Sequence, residues 1–205
     1  MISVDKRFVP SNAQAVDVFD AIRLRRSLKP ELLKPDPVDR ALLERLLEAA
    51  NWAPSHGLTE PWRFIVFQGE ARRGLLDAVV ETMQNPGEGR IPDADPRRTG
   101  MAAKMLNAPV CIAIICQASP SPKIVEHEEI ASTAMAVENM HLAARALGLG
   151  AFWTSGKKAF APSMAAFLGI EAPARCLGFF YVGWPNVPWP EGARKPWQDK
   201  VRWEG

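Results

Sequence analysis

AIRLRRS, Ala21 to Ser27, is the stretch on which the reading of this chain turns. It holds Arg23, Arg25 and Arg26, with a serine directly after them. Upstream, Val16, Val18, Phe19 and Ile22 recur at helical spacing. That pattern predicts a short amphipathic helix after an irregular leader over residues 1–14, running to about Arg26. The arginines then lie in its last turn or just beyond. Cations suit the negative end of a helix dipole, which makes the stretch a capped helix end. Adjacent guanidinium groups and a hydroxyl also form a group of donors for a phosphate or a polarised carbonyl. The stretch alone leaves both readings open.

Beyond it, residues 29–37 form a turn-prone linker containing Pro30, Pro35 and Pro37. Asp36 or Asp39 can cap a second helix, Val38 to Asn51, whose apolar stripe is Leu42, Leu43, Leu46, Leu47 and Ala50. A loop from Ala53 to Pro61 leads into WRFIVFQ, Trp62 to Gln68, which reads as a buried strand. Residues 69–83 are helical, and 85–98 form a long loop, a candidate lid or exposed excursion. A helix from Thr99 to Leu106 precedes a second strong strand, Val110 to Gln117. A long helix from Ile124 to Leu147 follows, with Ile130, Met135, Val137, Met140 and Leu142 on its apolar side and many alanines between. Gly148 and Gly150 end it. Ala151 to Thr154 is a short strand, Ser163 to Leu168 a short helix, and Cys176 to Val182 the last core strand. Alternating strands and helices predict one α+β or α/β sandwich domain spanning residues 1–205, with a tail over 186–205.

Composition narrows the function classes. The chain has 205 residues, 47% hydrophobic and 23% charged, as in ordinary globular proteins. A net charge of +2 argues against bulk nucleic-acid binding. No apolar run approaches the roughly 20 residues of a membrane span. MISVDKRFVP lacks an apolar signal core, so a cytoplasmic protein is expected. Cys111, Cys116 and Cys176 show no CxxC pairing and read as buried thiols. Trp184, Trp189, Trp197 and Trp203 crowd a proline-rich tail, whose large apolar groups call for burial against the domain itself or a partner chain.

Several chemistries lack their signatures. His56, His127 and His141 show neither HxxxH nor HExxH spacing, so no metal site is expected. No GxSxG elbow frames a nucleophile. Gly148-Leu149-Gly150 follows a helix, the wrong context for a dinucleotide-binding turn, and there is no P-loop.

A distributed pattern remains. Arg25-Arg26-Ser27, the loop APSHGLTEPWRF from Ala53 to Phe64, GLGAFWTSG from Gly148 to Gly156, and YVGWP from Tyr181 to Pro185 occur in that order. In these motifs the chain resembles the flavin-dependent nitroreductase family, in its short, compact branch, over about residues 16–186. The resemblance implies an α+β three-layer sandwich with a central mixed sheet flanked by helices, and a homodimer with FMN at its interface. It implies flavin contacts from Arg25, Arg26 and Ser27, from His56 of the partner's loop, and from Trp153, Thr154 and Ser155. Ala143 to Gly148 corresponds to a segment linked to nicotinamide cofactor binding. Arg194 and Lys195 are candidates for gripping the FMN phosphate, or else solvated tail charges.

No catalytic side chain is implied, because flavin N5 carries the chemistry. NAD(P)H would deliver hydride and leave, and a nitroaromatic, quinone or similar small acceptor would then enter the same pocket, a ping-pong sequence. Other flavin chemistry in the same fold, oxidative dehydrogenation or flavin destruction, is one alternative. A non-catalytic flavin-binding protein is another. Leu58 and Glu60 stand where the family loop usually carries Asn and Gln, a departure that bears on flavin potential, substrate range or activity itself.

Overall fold

The computed structural model describes residues 17–205, so the expected leader and the Val16 helix start lie outside the described residues. Helix α1 spans Val18–Leu24, and Asp17 caps it by accepting the Phe19 N–H at 2.8 Å. Helix α2 is Arg40–Asn51, strand β1 Trp62–Gln68, α3 Ala71–Glu81 and α4 Pro96–Met105. Strand β2 is Val110–Gln117, α5 Glu126–Ala146, β3 Gly150–Thr154, α6 Pro162–Leu168 and β4 Ala174–Gly183. The strands lie in the order β1-β2-β4-β3, every neighbour antiparallel. The mixed character expected of the sheet is confined, among the described residues, to one parallel bridge between Ser27 and Ala151.

Helices cover both faces, which is why VCIAIICQ in β2 is apolar without alternation. On one face Leu43, Leu46 and Ala50 of α2 and Ala136, Val137, Met140 and Ala144 of α5 pack on Val110, Ile112, Ile114, Phe180 and Val182. On the other, α3, α4 and α6 pack on Phe67, Cys111, Ala113, Phe179 and Tyr181. The result is the three-layer α+β sandwich. All three cysteines are free and buried.

Three expectations need correction. The long helix buries only part of the stripe read from its sequence: Val137 and Met140 are buried, but Ile130 and Met135 are exposed, while Glu129, Ser132, Thr133 and His141 face inward. Its alanines flatten the apolar signal, so side-chain size stops marking the core face. Residues 85–98 are not a free excursion, because Arg97 holds Glu88 and Asp95 and thereby folds the loop onto α4. Helix α4 also starts earlier, with Pro96 in its first turn and Asp95 accepting the Arg97 N–H at 2.8 Å.

The tail folds back on its own domain before running outward. Trp184 Nε1 donates to the Pro37 carbonyl at 3.1 Å, and Trp189 Nε1 to the Leu24 carbonyl at 2.6 Å. Arg145 lies over the Trp189 ring, 4.5 Å from its centroid. Trp197 and Trp203 remain exposed.

Candidate cofactor site

Helix α1 stops at Leu24, and the segment after it joins the sheet edge. Ser27 bridges Ala151, and Leu28 N–H donates to the Ala151 carbonyl at 2.8 Å. Leu28 can sit there because β3 opens with glycine. A Cβ on Gly150 would come within 2.7 Å of Leu28 Cδ1 and 2.8 Å of Leu33 Cδ2. One bridge therefore fixes the basic end of α1 beside β3, the strand that leads into Thr154 and Ser155.

The two arginines are used differently. Arg26 Nη1 donates to the carbonyls of Arg23 at 2.8 Å and Arg25 at 2.7 Å, closing the helix end. Its guanidinium lies beneath Gly192, where a Cβ would fall 2.1 Å from Arg26 Cζ. Arg26 Nε is buried without a partner. Arg25 Nε pairs with Glu138 of α5 at 3.2 Å, and its Nη1 points at Ser27 Oγ, 3.5 Å away. The Arg25 side chain is 17% exposed, so its charge is largely shielded from bulk water yet reachable. Nearby, His141 is buried edge-on against Phe180, ring centroids 4.7 Å apart, with Nδ1 unpartnered. Burial, and then the Arg25 charge, pushes its pKa down to about 4, so the imidazole is neutral at pH 7.

The pleat of β3 divides the FWTSG segment. Trp153 turns toward the α2–α5 face, with its indole N–H buried and unpartnered. Thr154, like Phe152, faces the other side. There Thr154 and Ser155 line a cavity of about 440 Å³ together with Phe152, Phe179 and Tyr181. Lys29, Lys104, Lys157 and Lys158 stand on its wall. These lysines and His141 lie outside the sequence motifs. Lys29 follows Ser27 by two residues, and Lys157-Lys158 directly follow Gly156, so adjacency to the motifs was the available signal.

His56 lies elsewhere in the chain. Its Nδ1 is 2.7 Å from Glu128 Oε2, near the start of α5. Hydrogen bonds from His56 and from Val125 N–H hold the Glu128 carboxyl below its ordinary range. Glu128 and Glu138 are ten residues apart, about 15 Å along a helix, so one chain does not bring His56 to Arg25. The loop around His56 is unusual: Gly57, Leu58 and Glu60 have φ of 61°, 56° and 45°. Two of these are not glycine, a conformation held only where its surroundings enforce it.

Of the two tail candidates, Arg194 shares a cleft with Arg23, Arg26 and Trp189. Lys195 is exposed, and its carbonyl accepts from Lys200 Nζ at 3.3 Å. Among the described residues no group of His, Cys, Asp and Glu could hold a metal ion, and no helix is long and apolar enough to cross a membrane.

The three-layer α+β fold thus brings a cationic helix end against a hydroxyl-bearing strand end. The nitroreductase family model matches residues 22–184, and the chain belongs to that family. The Bacillus subtilis candidate NAD(P)H nitroreductase YfhC is 27% identical over 182 residues, 88% of this chain and 91% of that one. The 5,6-dimethylbenzimidazole synthase of Rhodospirillum rubrum is 29% identical over 205 residues, 94% of this chain and 93% of that one. A nitroreductase-like family protein from Bacillus cereus superposes with a TM-score of 0.81 at 28% identity, covering 95% of this chain and 99% of that one. A Desulfovibrio desulfuricans protein solved in complex with FMN superposes at 0.69 with 25% identity, covering 92% and 96%.

Proposed function

We propose that this chain is an FMN-dependent oxidoreductase that passes electrons from NAD(P)H to a small acceptor, a nitroaromatic, quinone or similar electrophile, in ping-pong order. The observation that carries this reading is the Ser27–Ala151 bridge, which sets Arg25 beside the strand leading to Thr154 and Ser155. The residues fit the group. Arg25, largely shielded and pointed at Ser27 Oγ, offers charge and donors to a phosphate. Thr154 and Ser155 offer hydroxyls and Lys29 a cation at the cavity wall, while Trp153, on the opposite face of β3, carries an indole N–H with no partner among the described residues. Bound FMN supplies reversible two-electron hydride chemistry that none of these side chains provides. Arg26 is committed to the helix end and the tail, so its part is to position Arg25 and Gly192.

A homodimer completes the reading. Helix α1 leaves Val18, Phe19 and Ile22 exposed, Phe19 at 76%, and α5 leaves Ile130 and Met135 exposed. Such apolar surface on adjacent helices suits a second copy of the chain. The partner's loop would then bring a second His56 and Leu58 toward the site that Arg25 serves. The purified protein should be yellow, and its flavin should bleach anaerobically on NADPH or NADH. A colourless protein that takes up no FMN overturns the proposal.

Flavin destruction is the second reading, favoured by the end-to-end match to the 5,6-dimethylbenzimidazole synthase. Loss of reduced FMN in air, with no turnover of nitro or quinone acceptors, would select it.

A further inference from the structure

Four of the chain's nine lysines, Lys29, Lys104, Lys157 and Lys158, line the cavity that also holds Thr154 and Ser155. None of the four has a carboxylate within ion-pair distance among the described residues. Glu31, the single carboxylate on the wall, pairs with none of them. Elsewhere the chain behaves differently: Arg23, Arg25, Arg40, Arg73, Arg90, Arg97, Arg98 and Arg175 are all ion-paired. Lys158 Nζ lies 4.0 Å from the Met101 sulfur, too long and too weakly polar a contact to compensate a charge. Burial, and then the nearby Lys104 charge, lowers the Lys158 pKa. Like charges gathered without counter-charge raise the energy of the empty cavity and lower it when an anion enters. The rest of the lining, by contrast, is largely apolar, with Phe152, Phe179, Tyr181, Met101 and Met105. An apolar lining that also carries cations matches a ligand with an aromatic body and an acidic substituent.

We infer that this cavity selects anionic aromatic molecules, aromatic carboxylates in particular, and that Lys157 and Lys158 set the preference. The inference rests on the flavin reading above and names the acceptor class for it. A nitrobenzoate would enter with its carboxylate at the lysines. Each turnover would consume one NAD(P)H and one proton, converting ArNO₂ to ArNO with release of NAD(P)⁺ and water.

The experiment compares isosteres that differ in charge. Benzoate and benzamide are titrated calorimetrically into the FMN-loaded protein, and 4-nitrobenzoate and 4-nitrobenzamide are compared as acceptors. Benzoate should bind at least about tenfold tighter than benzamide, with the gap narrowing as salt rises, and kcat/KM should favour 4-nitrobenzoate similarly. The double variant Lys157→Gln, Lys158→Gln should bring both ratios close to one while FMN content and 4-nitrobenzamide turnover hold. Equal binding of benzoate and benzamide by the wild type overturns the inference. So does loss of FMN from the double variant, which would assign these lysines to the cofactor. Failure of the protein to take up FMN at all strikes the flavin reading instead, and the calorimetric comparison on that protein still decides whether the cavity prefers the anion.

Discussion

Thr59 Oγ1 donates a 2.5 Å hydrogen bond to Glu129 Oε1, a carboxylate that is only 1% exposed. The other oxygen of Glu129 accepts the Ser119 N–H at 2.8 Å. One buried side chain on α5 thus ties together the His56 loop and the segment leaving β2. This tie accounts for how Leu58 and Glu60 are kept at positive φ on a loop with little burial of its own.

Replacing Glu129 by alanine leaves both donors without their acceptor and frees the strained loop. Glu129→Ala should lower unfolding free energy by about 2–3 kcal/mol, and Glu129→Gln, which keeps one acceptor, by about 1 kcal/mol. Urea denaturation with unchanged midpoints in both variants would remove Glu129 from its structural role.

His141 makes stability depend on pH. Its folded pKa, near 4, lies below the ordinary value of about 6.5, so as pH falls the unfolded chain takes up the proton first. Its contribution is therefore intact above about pH 6.5 and declines as pH drops toward 4, by up to about 3 kcal/mol. The wild type should lose stability relative to His141→Leu over that interval. Parallel pH profiles for the two proteins would show that the imidazole ionises freely in the fold.

Arg25 and Arg26 should separate experimentally. Arg25→Ala removes the shielded charge facing Ser27 and should weaken FMN binding by at least about tenfold. Arg26→Ala removes two helix-closing hydrogen bonds and should cost about 1 kcal/mol of stability with a smaller effect on FMN affinity. Fluorescence titration of the apoprotein with FMN decides between them. An equal loss in both would return Arg26 to direct contact with the cofactor.

Ending the chain after Val187 removes Trp189, and with it the hydrogen bond to Leu24 and the ring under Arg145. The truncated protein should be less stable by about 2 kcal/mol and dimerise more weakly. Light scattering and thermal melts matching the full chain would show that the tail is dispensable.

Much of this was legible from residue patterns. β1 and β2 lie where WRFIVFQ and VCIAIICQ placed them: β2, covered on both faces, carries an unbroken apolar run, and β1, at the sheet edge, a shorter run of aromatic and β-branched residues. Helix α5 was legible in extent but not in orientation, since Ala131, Ala134, Ala136 and Ala143 give both faces similar weight. The motifs around Arg25 and Thr154 could be found in the sequence. What they do could not, because the division of labour between Arg25 and Arg26 depends on which carbonyls lie within reach of each guanidinium. Likewise, Lys29 and Lys157-Lys158 lie beside two of the motifs, but that they share one cavity with Lys104 shows only once the fold gathers them.

The short segment through Ser27 and Leu28 also has a consequence for behaviour in a crowded solution. β3 is an outer strand of only five residues, and an outer strand with free amide and carbonyl groups invites pairing with a stranger. Leu28 occupies the Ala151 carbonyl from outside, and its side chain, seated over Gly150, blocks the approach. A bulkier residue at position 150 would push that segment away. The first sign of the change would be self-association through the bared strand, appearing before any loss of secondary structure.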